Sequence, residues 1–92
     1  ATVVSTVRDL LASGWEEIHE PRIGCVITWE QKPPGYGKWQ HPHIGFYVGQ
    51  EQAVSNDPET GVPIMHHFSY GTANGLPVRQ ITGMYWHPSL DL

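Results

Sequence analysis

Ten glycines and eight prolines punctuate this chain of 92 residues, and no other feature restricts its fold so tightly. Each proline fixes φ and removes a backbone donor, and each glycine tends to end or bend a regular element, so the chain must use short elements joined by many turns. That argues against a helical bundle and favours strands linked by loops. A chain of this length makes one small domain and buries only about two-thirds of the surface that its unfolded form exposes. With 39% hydrophobic residues, four Trp, four Tyr and 15% charged residues, it is expected to fold on aromatic anchors rather than remain disordered.

One helix is expected. Val3, Val7, Leu10 and Leu11 form an amphipathic stripe, Thr2 or Ser5 can cap its start, and Gly14 can end it, which places the helix over residues 2–13. Trp15 and Ile18 follow as apolar pins before Pro21. The β-branched and aromatic run 24–30 predicts a strand, and 31–42 is too broken by proline and glycine for regular structure. Further strands are predicted over 44–49 and 52–55, with a dense turn signal over 56–61, then extended stretches over 62–70 and 78–86. The expectation is an α+β domain over residues 1–92, one N-terminal helix on an antiparallel meander of about five strands.

A net charge of −4 with two Lys and three Arg gives no basic footprint, so nucleic acid and anionic membrane surfaces are not expected partners. A single Cys excludes an internal disulfide scaffold and a four-Cys zinc module. Six His invite a metal reading, but beyond His41-Pro42-His43 no ligand spacing repeats, so neither a metal site nor a cofactor is expected. Nucleophilic catalysis needs a thiol, an imidazole base and a polar group that orients the imidazole; the chain offers Cys25, His43 and the pair Ser55-Asn56. If strands 25–30 and 43–49 pair as antiparallel neighbours, His43 faces the region of Glu30 and Cys25 lies near Val48. Five residues of strand then separate Cys25 from His43 by about 15 Å, and Cys25 reads as a buried small residue. A different register would reopen a Cys25–His43 dyad. Tyr36, Trp39 and His41, just before His43, are candidates to line a substrate groove. His66 and His67 alternate across their strand, so one ring faces inwards and the other faces solvent.

The order helix, Gly14-Trp15, Pro21-Arg22-Ile23-Gly24-Cys25-Val26-Ile27-Thr28-Trp29-Glu30, loop, His43-Ile44-Gly45-Phe46-Tyr47-Val48-Gly49, Ala53-Val54-Ser55-Asn56 resembles the papain-fold NlpC-type and CHAP-type peptidoglycan amidases and endopeptidases. The resemblance covers roughly residues 14–56. It implies a papain-like cysteine peptidase or amidase that acts on cell-wall peptide or amide bonds, in a bacterial extracellular or cell-surface setting. It also implies that His43 is the catalytic imidazole and that Ser55 or Asn56, on the next strand, orients it. Cys25 falls where the family strand carries an Asp, which is not the nucleophile.

The family's nucleophilic Cys stands at a helix N-terminus before this strand, where the helix dipole lowers the thiol pKa, and residues 1–24 contain no Cys. Two explanations follow. Either the Cys-bearing helix lies upstream and this chain is the C-terminal portion of a larger domain, or the helix at 2–13 replaces it and the protein is an inactive papain-like fold that binds cell-wall peptide or a protein partner. The chain opens on Ala1 rather than Met, which makes the fragment the first expectation; an open sheet edge in such a fragment implies a homodimer.

Overall fold

Helix α1 spans Val3–Ala12 in the computed structural model, which describes residues 2–30, 42–56, 60–69, 72–73, 76–77 and 80–91. Its start is a capping box: the Thr2 hydroxyl accepts from the Ser5 backbone N–H at 3.0 Å, and the Ser5 hydroxyl accepts from the Thr2 N–H at 3.0 Å. Its end is Gly14 at φ +91°, a conformation that side chains rarely adopt. No residue of α1 is fully buried. Its less exposed residues Val3, Val7 and Leu10 line grooves that the sheet lines from the other side.

That sheet has six antiparallel strands, β1 (Glu16–Ile18), β2 (Val26–Trp29), β3 (His43–Gly49), β4 (Gln52–Asn56), β5 (Pro63–His67) and β8 (Ile81–Trp86), in the order β1-β8-β2-β3-β4-β5. A separate two-stranded ribbon joins β6 (Thr72–Ala73) to β7 (Leu76–Pro77). The expected five-strand meander holds only from β2 to β5. β8 returns to the other side of β2 and carries β1 on its far edge, with Glu16 opposite Trp86 and Ile18 opposite Met84. β1 escapes a pattern-based reading because Glu16-Glu17-Ile18 has little β-propensity of its own. The backbone of β8 makes it a strand.

β2 is the central element, buried on both faces. Cys25, Ile27 and Trp29 join Ala53 and Trp86 in the core of one face, with Ile18, Tyr47, Phe68, Ile81 and Met84 packed around them. Val26 and Thr28 point the other way, where Leu10, Trp15, Val3 and Val7 of the helical side line grooves against the sheet. Beyond β8 a short 3-10 turn, Pro88–Leu90, brings Asp91 back to Arg22 at 2.7 Å and to the Trp86 indole N–H at 3.0 Å. The Arg22 hydrogen bond, helped by Trp86, holds the Asp91 carboxyl below its ordinary range, and the guanidinium also stacks 3.9 Å from the Trp86 ring centroid. His87 donates from Nε2 to the Ser13 carbonyl at 3.1 Å, which ties the end of β8 to the end of α1.

Gly45, in the middle of β3, is fixed by close approach rather than by turn geometry. A Cβ there would collide with the Val54 carbonyl oxygen and stand 2.9 Å from the Ser55 Cβ and 3.2 Å from the Trp29 ring. Two of the three neighbours are backbone or Cβ atoms that cannot swing aside. Gly45→Ala is expected to destabilise the fold by about 1–3 kcal/mol, read as a lower urea midpoint with an unchanged m-value.

Candidate active site

Pairing of β2 with β3 sets Trp29 opposite His43, and their rings stand 6.2 Å apart between centroids. The indole is fully buried, and its N–H donates to the Phe68 carbonyl at 2.7 Å, which fixes the ring plane. Side chains alternate along strands, so His43, Gly45 and Tyr47 share the face of Trp29. β4 extends that face through Ala53, opposite Tyr47, and Ser55, opposite Gly45; β5 extends it through His66, opposite Ala53. His43 is thus half-buried at one end of a face whose middle holds Ser55 and whose outer strand holds His66.

The tautomer of His66 can be read from its partners. Its Nδ1 lies 2.7 Å from the His67 carbonyl, which can only accept, so Nδ1 carries a proton. In the neutral ring Nε2 is then an acceptor, and the Ser55 hydroxyl, 2.7 Å away, donates to it. Ser55 is 5% exposed, so this bond satisfies a buried hydroxyl. The His66 ring also meets the Trp29 indole edge-on, with centroids 5.5 Å apart. The two imidazoles and the serine are assembled around one indole.

Of the two residues expected to orient the imidazole, only Ser55 lies on the His43 face. Asn56, the next residue along β4, points to the opposite face and lines an apolar cavity of about 420 Å³ with Leu10, Trp15 and Phe46. Cys25 is fully buried, and its carbonyl accepts from the Tyr47 N–H at 3.0 Å. This places it one residue nearer to His43 than an alignment with Val48 would. Four residues of β2 still separate Cys25 from Trp29, the neighbour of His43, or about 13 Å along the strand. Burial pushes the Cys25 thiol above its ordinary pKa, against smaller opposing effects from backbone hydrogen bonds and Arg22. The sheet therefore does not bring Cys25 and His43 together. Tyr36, Trp39 and His41 lie outside the described residues.

Sequence reasoning did not single out His66 as a site residue, although alternation placed one ring of the pair His66-His67 inwards. The missing signal was hairpin register: with Asn56 opposite Pro63, Ser55 and His66 become diagonal neighbours. Among the described residues no three His, Cys, Asp or Glu side chains cluster to hold a metal ion, and no helix is long and apolar enough to cross a membrane. Compared with protein-family models, with curated proteins and with solved structures, the chain matches none.

A buried thiol with a raised pKa presents little thiolate to an electrophile. Cys25 is expected to react with iodoacetamide at pH 7.5 at least about 100-fold more slowly in the folded protein than in urea, followed by mass spectrometry. Folded-state alkylation at the urea rate would contradict the burial.

Proposed function

We propose that these residues form the sheet side of a papain-like cysteine peptidase or amidase of the NlpC and CHAP type, with His43 as general base to a thiol that the 92 residues do not themselves supply. One observation carries the reading: His43 opens β3 on the core face of the sheet, half-buried beside the fixed indole of Trp29, with a polar residue of the next strand on the same face. A general base needs such a site, partly shielded from water and held in one orientation. The substrate class is a peptide or amide bond of cell-wall peptidoglycan.

The chemistry asks three things of His43. Its unprotonated nitrogen takes the proton of the thiol, and the thiolate attacks the carbonyl carbon. The imidazolium then protonates the departing amine, which leaves a thioester. Water next gives a proton to the imidazole as it attacks the thioester, and the carboxylate product leaves as the thiol is restored. The thiol must approach from the face that carries His43, the side of the sheet opposite α1. Cys25 cannot serve, being buried four residues away along β2.

The same buried thiol favours a second reading, an inactive papain-like fold that binds cell-wall peptide or a protein partner. A homodimer through an open sheet edge, here the outer edge of β5, belongs with the first reading. That strand has one neighbour, β4, among the described residues, and Met65 on it is 66% exposed. A monomer by light scattering at high concentration would remove the dimer.

Hydrolysis of a defined muropeptide by the full-length protein separates the readings. His43→Ala is expected to lower kcat/KM by at least about 1,000-fold, whereas Cys25→Ser changes it less than about twofold. Equal activity in wild type and His43→Ala would overturn the general-base assignment. Binding of the muropeptide without hydrolysis would select the inactive fold.

A further inference from the structure

One extra residue in β8 builds a polar floor beneath the first half of α1. Ile81 and Met84 pack on the core, while Thr82 and Tyr85 face α1, because Thr82 is inserted between the partners of Thr28 and Trp29. A bulge of this kind re-aims a side chain, and here it sets the Thr82 hydroxyl 2.8 Å from that of Thr28. Gly83, opposite Thr28, leaves room for the Tyr85 ring: a Cβ there would collide with the phenol oxygen and stand 2.8 Å from the carbon that bears it. Thr28 and Tyr85 are 2% and 6% exposed, and Thr28 is the hydrogen-bonding neighbour of the Tyr85 hydroxyl. Three hydroxyls therefore meet at one spot on the sheet.

Above this floor lies an open-sided cavity of about 440 Å³, whose other wall is Val3 and Val7 of α1. Small-molecule sites are built in this way, with mostly apolar walls, a few converging polar groups and volumes of about 300–1,000 Å³. The helix does not close the cavity, since none of its residues is fully buried. Burial pushes the Tyr85 phenol above its ordinary pKa and Glu17 adds to the effect, against the Thr28 bond, so the hydroxyl keeps its proton. Glu30 also lines the cavity; its carboxylate accepts from the Gln80 N–H at 3.3 Å, and its charge opposes an anionic guest. We propose that this cavity binds a small neutral molecule with an apolar body, laid against Val3 and Val7, and a hydroxyl group that meets Thr82 and Tyr85. A ligand hydroxyl is the fitting group because it both gives a proton and accepts one, and so completes the cluster whichever way the Thr28–Thr82 proton points. The site lies on the face of the sheet opposite His43 and is independent of the reading of His43 as a general base.

Titration of the full-length protein with 1-naphthol at pH 7, followed by proton–nitrogen correlation spectra, tests the site. One equivalent is expected to bind with a Kd below about 1 mM, and the largest shifts are expected at Val3, Val7, Thr28, Thr82 and Tyr85. Tyr85→Phe, which keeps the ring, is expected to weaken binding by about 3- to 10-fold. The anion 1-naphthoate, which has the same two rings, is expected to bind at least about tenfold more weakly than 1-naphthol. Wild-type protein that shows no saturable binding overturns the proposal whether or not the variant folds. So does saturable binding whose largest shifts fall on Phe46 and Val54, in the cavity on the other side of α1. A folded Tyr85→Phe protein with wild-type affinity, or 1-naphthoate that binds as tightly as 1-naphthol, overturns it as well.

Discussion

The indole of Trp29 is the contact on which the sheet and the polar cluster both depend. It is fully buried at the end of the central strand, and its one polar atom is satisfied by the Phe68 carbonyl. A buried Trp N–H without a partner would cost roughly 1–3 kcal/mol, so this bond fixes where the chain after β5 must pass as well as how the ring lies. Register then follows on both sides: Trp29 stands opposite His43 on β3 and opposite Ile81 on β8, where β8 carries one extra residue, Thr82, between the partners of Thr28 and Trp29. The ring lies close to Gly45 because that position carries no side chain. A glycine inside a strand costs conformational entropy, and here the return is the approach of Trp29 and Ser55 to the same point.

β2 divides the molecule chemically. On one side Val26 and Thr28 line grooves shared with α1, and Thr28 also bonds the Thr82 hydroxyl at 2.8 Å. Tyr85 is buried on that same side, where desolvation raises its pKa and Glu17 adds to the effect. On the other side the core residues give way, towards the start of β3, to His43, Ser55 and His66. Alternation along β4 turns the Ser55 side chain to the histidines and the Asn56 side chain to the face of α1. A single step along a strand thus separates a candidate orienting group from a residue that cannot reach His43 at all.

Local pattern explains which parts of this were legible in the sequence. The capped stripe of α1, the β-branched run of β2 and the alternation of β3 announce themselves because each is its own evidence, and the helix ends where Thr2 and Gly14 place it. The pairing of 24–30 with 43–49 also follows, since two adjacent strands in a short domain tend to be neighbours, and the observed alignment differs by one residue at Cys25. What pattern does not carry is the return of β8 to the far side of β2, or the recruitment of Glu16–Ile18 as an edge strand, because both are decided by backbone partners distant in sequence. His66 belongs to the same category. Its spacing from Ser55 means nothing until the β4–β5 register is known, and a one-residue slip would turn it to the other face.

Direction, rather than proximity, gives the polar cluster its chemical meaning. Three side chains near an indole could form a merely structural knot, each hydroxyl and ring settling whichever bond is nearest. A backbone carbonyl removes that freedom at one end, because it has no proton to give. In its neutral form His66 accepts from Ser55. The same face carries His43, two residues before Gly45, which stands opposite Ser55. A carboxylate in place of the His67 carbonyl would hold the His66 ring by charge and raise its pKa; the carbonyl fixes the tautomer of His66 without adding charge to a partly buried site.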